Sequence, residues 1–123
     1  MKNRFCLLLL LAAFAAAGCT PREKTIIILS TNDIHAKIER FPQLAEAVEE
    51  ARDTATVVLV DAGDRWTGNA YVDRAATPGM PMIALMNGLG YDVVTLGNHE
   101  FDHGQAFLGR MIDSMDFEVV SVS

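Results

Sequence analysis

Residues 91–102 read YDVVTLGNHEFD, a short apolar run that stops at a glycine and gives way to four chemically capable side chains. Val93, Val94 and Leu96 predict a buried strand bounded by Gly90 and Gly97. Asn98, His99, Glu100 and Asp102 then fall in the loop past its carboxyl end, where open α/β sheets place their ligands. Two upstream runs end in the same way. Residues 25–31, TIIILST, lead into Asn32, Asp33, Ile34 and His35, and residues 57–60, VVLV, lead into Asp61, Ala62, Gly63 and Asp64. Three polar clusters delivered to one sheet edge point to a metal site.

The intervening segments have helical spacing. Phe41, Leu44, Ala45 and Val48 lie at i, i+3, i+4 and i+7, with Pro42 in the first turn. Ile83, Leu85, Met86 and Leu89 make a second stripe, expected to stop at Gly88 and Gly90. Phe107, Leu108, Met111, Ile112 and Met115 make a third, followed by a strand over 117–122. The predicted order is β-α-β-α-β-α-β, an α/β domain with a mainly parallel sheet covered by helices. Its first strand, 25–29, is apolar throughout, as expected for burial on both faces. The methionines at helical spacing read as core filler.

The amino terminus stands apart. Lys2 and Arg4 precede a wholly apolar run over 5–17, then Gly18 and Cys19. That reads as a secretory signal over 1–18, too short for the ~20 apolar residues of a spanning helix. Residues 19–24 form a tether, and 25–123 the folded body. Losing Lys2 and Arg4 takes the net charge from −6 to −8, which argues against a nucleic-acid polymer as partner. Cys6 falls inside the signal, so Cys19 has no internal disulfide partner. The segment Ala16–Ala17–Gly18–Cys19 resembles a bacterial lipoprotein signal, with Cys19 as the lipidated first residue; an ordinary cleavage site beside a lone thiol is the alternative. The expected address is the bacterial cell envelope, periplasm or surface, through a lipid anchor in the membrane.

Asp33 and His35 are two apart, so persisting strand geometry would put both side chains on one face as first-row metal ligands; a simple turn is the alternative. Asp61 and Asp64 repel one another across Ala62–Gly63 unless a cation, donor or proton intervenes. Asp61 fits equally an Asx turn or an outer supporting role, and Asp64 is the better ligand. Asn98 offers a neutral carbonyl oxygen to a metal, His99 can give a proton or stabilise charge, and Asp102 can accept from the His99 ring. A bare helix N-terminus capped by Asp102 is the alternative. His103, before Gly104, reads as a loop or first-turn residue.

Together the segments TNDIH (31–35), DAGDRWTG (61–68) and GNHEFD (97–102) resemble the calcineurin-like metallophosphoesterases, in the branch of secreted 5′-nucleotidases, UDP-sugar hydrolases and 2′,3′-cyclic-nucleotide phosphodiesterases. The resemblance covers nearly all of 25–123. It implies a four-layer α/β/β/α sandwich of which this chain supplies the first half, and two divalent cations, Mn, Zn, Fe, Co or Mg. It implies that Asp33 and His35 bind the first metal, Asp64 bridges both, Asn98 binds the second, and His99 is the catalytic histidine oriented by Asp102. Glu100 matches the motif without an assigned ligand role. The implied activity is hydrolysis of small phosphoesters, nucleotides among them, by a metal-activated water.

The family completes its sites with further histidines, whereas this chain holds only His35, His99 and His103. The expectation is therefore the leading part of such an enzyme, from a truncated or split reading frame, inactive or nearly so alone. The alternatives are a non-catalytic, lipid-anchored metal-binding or interaction module, and half of a split enzyme completed by a separate C-terminal chain.

Overall fold

The computed structural model describes residues 24–121. The signal over 1–18, Cys19 and most of the tether lie outside the described residues. Strands β1 (Ile26–Thr31), β2 (Thr56–Asp61), β3 (Val93–Thr95) and β4 (Glu118–Val120) form one sheet in the order β1-β2-β3-β4, every pair parallel. Helices α1 (Phe41–Thr54), α2 (Ala70–Asp73), α3 (Met80–Leu89) and α4 (Gln105–Ile112) fill the crossovers, with 3-10 turns at Ile38–Arg40 and His99–Phe101. The alternating order expected from the sequence is present, and α2 is an addition inside the glycine-punctuated loop.

Each boundary has a local cause. Pro42 and Pro81 sit in the first turns of α1 and α3, where a missing N–H costs nothing. Asn69 caps α2 by accepting from the Tyr71 amide at 2.9 Å. The sequence reading placed a stop at Gly88, but α3 runs through it and ends at Gly90, whose φ of 73° closes the helix in the left-handed region. Arg52 of α1 reaches across to donate to the carbonyls of Leu89 and Gly90. β3 is shorter than the apolar run and leaves out Leu96, α4 stops before Met115, and the described part of the last strand is three residues long.

Sequential parallel strands joined by right-handed crossovers put every helix on the same side of the sheet. Leu59 and Val94 are buried on that side with Phe41, Val48, Met82, Ile83, Met86, Leu108 and Met111, and Leu29, Val57 and Val119 pack against them. The opposite side is open among the described residues: Ile26 is 63% exposed, Ile28 69% and Val120 52%. This corrects the expectation that the first strand is buried on both faces. β1 alternates because only one of its faces meets helices. Leu85 is likewise exposed, at the edge of the α3 stripe and not within it. The structure is thus a helix layer on a parallel sheet; the second sheet and outer helices of a four-layer sandwich are not among the described residues.

Candidate metal centre

All three loops at the carboxyl edge of the sheet are tied to one another. The Asp33 amide donates to the Gly63 carbonyl (3.1 Å), the His35 amide to Asp64 (3.0 Å) and the Ala36 amide to Arg65 (2.8 Å), so the first loop runs along the second beyond the end of the strands. Asp33, His35 and Ala36 have φ of 51°, 46° and 54°, and Asp64 55°. Left-handed backbone at residues other than glycine costs about 1–3 kcal/mol each and gathers where the surrounding structure enforces a function. Extended geometry, the condition for Asp33 and His35 to share a strand face, does not persist; the turn alternative holds, and cross-loop bonds bring the two together, with His35 Nε2 3.6 Å from Asp33 Oδ1.

The second and third loops touch backbone to backbone. A Cβ on Gly97 would collide with the Asp64 carboxylate, and one on Gly63, at φ 104°, with the Gly97 amide. Asp64 Oδ1 accepts from the His99 amide at 2.8 Å. His35, Asp64 and His99 each offer a ligand atom, all within 4.8 Å of one another. Both histidines have defined tautomers, because their Nδ1 atoms face acceptors. His35 Nδ1 donates to the Thr67 carbonyl (3.3 Å) and His99 Nδ1 to Asp102 Oδ2 (2.8 Å), so that Nε2 of His35 is left facing Asp33. The rings meet edge to face with centroids 5.1 Å apart. The hydrogen bond to Asp102 holds the His99 imidazole above its ordinary pKa; desolvation opposes this, and the charges of Asp102, Asp64 and Glu100 add to it.

Asn98 lies at the head of the His99–Phe101 turn, exposed, with its side chain making no capping bond. Asp102 closes that turn and is not the cap of α4, which begins after Gly104. His103 stands outside the cluster, its ring against Phe107 at 4.9 Å. Asp61 is buried and makes the Asx turn: Oδ1 accepts from the Gly63 amide (3.0 Å) and from Arg65 Nε (2.9 Å), and Oδ2 accepts from Thr31 (2.7 Å).

The fully buried Arg65 guanidinium also donates to the Thr95 carbonyl. A sequence profile of calcineurin-like phosphoesterases matches residues 26–118.

The chain belongs to the calcineurin-like phosphoesterase family.

Among this family's members, a snake venom 5′-nucleotidase from Gloydius brevicauda is 32% identical over 95% of the chain, and the 5′-nucleotidase of Rattus norvegicus 29% identical over 95%. The trifunctional nucleotide phosphoesterase YfkN of Bacillus subtilis is 36% identical over 71% of the chain. Solved structures agree: the calcineurin-like phosphoesterase YfkN from Bacillus subtilis has a TM-score of 0.62 at 33% identity, over 76% of this chain and 35% of that one. The NAD nucleotidase NadN of Haemophilus influenzae has 0.69 at 26%, over 76% and 20%. The chain spans 23% of the length of the first two relatives and 6% of YfkN.

Three buried residues that frame the cluster carry no assigned role in the sequence analysis. Arg65 and Glu100 are both fully buried, yet nothing local in the sequence pairs residues 35 apart. Trp66 is buried against Gly79, and its indole N–H donates to the His99 carbonyl at 3.2 Å; a lone tryptophan beside a glycine-rich loop was its only signal.

Proposed function

We propose that the chain carries the leading part of a divalent-metal-dependent phosphoric-ester hydrolase acting on nucleotides or related small esters. The convergence of His35, Asp64 and His99 at the ends of adjacent parallel strands carries this reading. The donor set fits hard and borderline first-row cations, since it offers carboxylate oxygen, imidazole nitrogen and, from Asn98, an amide oxygen. Asp33, His35, Asp64 and Asn98 would hold two divalent ions, and the bound ions would supply charge stabilisation and a water of lowered pKa.

The residues of the chain have separable tasks in this reading. Asp64, held through its carboxylate by the His99 amide, is aimed at the space between the loops. His35, its Nδ1 donating to Thr67, presents Nε2 to the same space. His99 is the proton donor or charge stabiliser for the reacting ester, and Asp102 positions its ring by accepting from Nδ1.

The ligands present leave both ion sites open, so the isolated chain hydrolyses esters at or near the buffer rate. Export with a lipid anchor at Cys19 belongs to the same reading and places the substrate outside the cytoplasm. The experiment is turnover of a nucleoside 5′-monophosphate and of bis(p-nitrophenyl) phosphate with Mn²⁺ by a version extended to the relatives' length. Metal-dependent product release, abolished by Asp64→Asn or Asn98→Ala, is expected; unchanged turnover in those variants refutes the assignment. The second reading, a non-catalytic metal-binding module, draws on the short ligand set and predicts Mn²⁺ binding with no turnover in the extended version.

A further inference from the structure

We propose that Glu100 is a positioning residue that locks the Asp64 loop to the Asn98–His99 loop and so sets the geometry of the metal ligands. The inference rests on the metal reading above. Glu100 is fully buried, and its carboxylate gathers three backbone amides from two loops. Oε2 accepts from Asp64 (2.9 Å) and Gly97 (2.6 Å), and Oε1 accepts from Arg65 (3.0 Å). Arg65 Nη1 lies 3.8 Å from Oε1, with no hydrogen-bond partner of its own among the described residues, and supplies the compensating charge. The link is reciprocal: Glu100 holds the Asp64 amide while Asp64 Oδ1 accepts from the amide of His99, the residue beside Glu100.

A closed circuit therefore runs from ligand to loop to ligand. At Gly63 and Gly97 the two loops approach so closely that a Cβ on either would collide with the other loop. A carboxylate has about four acceptor sites, and amides fill three of them here. Glutamine at this position keeps the size but turns one oxygen into a donor facing N–H groups, so at least one of the three amide bonds is lost and an N–H is set against an N–H. Arg65 serves the same end from the other side, tying Asp61 to the Thr95 carbonyl across β2 and β3.

The test uses the 123-residue chain. Amide hydrogen exchange without metal should show the Asp64, Arg65 and Gly97 amides exchanging as slowly as β2 ladder amides; rapid exchange at all three overturns the proposal. Mn²⁺ affinity, measured where every variant is folded by circular dichroism, should fall roughly 10- to 100-fold in Glu100→Gln. The α1 control Glu50→Gln should bind like the parent. A Glu100→Gln chain that melts earlier but binds Mn²⁺ as tightly as the parent has lost only stability, and that result overturns the proposal. If Glu100→Gln does not fold, Glu100→Asp retracts the carboxylate by one methylene and decides in its place: weakened binding supports the role and parental binding refutes it. A parent chain that binds no Mn²⁺ refutes the metal reading instead, and exchange at the three amides, slow in the parent and fast in the variant, then decides the role of Glu100.

Discussion

The loop after β1 and the loop after β3 both carry candidate ligands to the same edge, but they are held by different physics. Residues 32–37 lie largely at the surface and are held by backbone bonds to the neighbouring loop at the cost of three left-handed residues. Residues 96–102 are anchored from beneath by a buried carboxylate and a buried guanidinium. The first loop stores strain to aim its side chains, while the second spends a desolvated ion network to do so. The two should respond to substitution in opposite ways.

The largest difference is expected at Arg65. Arg65→Met leaves Asp61 and Glu100 buried without their cation, and breaking such a pair costs about 3–5 kcal/mol. Urea denaturation should show this loss, whereas Asn32→Ala in the exposed first loop should stay within ~0.5 kcal/mol of the parent. Equal effects at the two positions would erase the distinction.

A smaller effect of opposite sign is expected at Asp33. Its left-handed φ of 51° suits glycine, so Asp33→Gly should raise stability by up to ~1 kcal/mol while weakening Mn²⁺ binding. A variant that binds as before, or that is destabilised, would show that the backbone there stores no strain for the site.

The smallest effect concerns Tyr91, which braces the end of β1. Its hydroxyl lies 2.9 Å from Thr31 Oγ1, which donates to Asp61. Burial pushes the phenol from 10.0 up to about 12. A folded-state pKa above the unfolded one gives a contribution fully present below pH 10 and lost as the pH rises through about 12. In a Tyr71→Phe chain, ultraviolet titration should show the remaining tyrosine ionising near pH 12 together with unfolding. Ionisation near pH 10 in a folded chain would place Tyr91 in water.

This contrast marks what the sequence made legible. Apolar runs at strand and helix period located the main elements, and three polar clusters after three strands located the edge, because both signals are local. The left-handed turns at Asp33 and His35 were not legible, since aspartate and histidine adopt them only when cross-loop bonds enforce it. Nor was the Arg65–Glu100 network, formed by residues far apart in sequence whose usual place is the surface. The exposed face of β1 was missed because an all-apolar strand reads as doubly buried whether or not a second layer is present.

The most direct measurement is Mn²⁺ titration of the chain followed through its three histidine ring resonances, because paramagnetic broadening falls with the sixth power of the distance from the ion. The account predicts that His35 and His99 broaden together at the lowest substoichiometric Mn²⁺, before His103, whose ring stacks outside the cluster against Phe107. Broadening of His103 alone, or of none of the three, would contradict a shared cation at the loop edge.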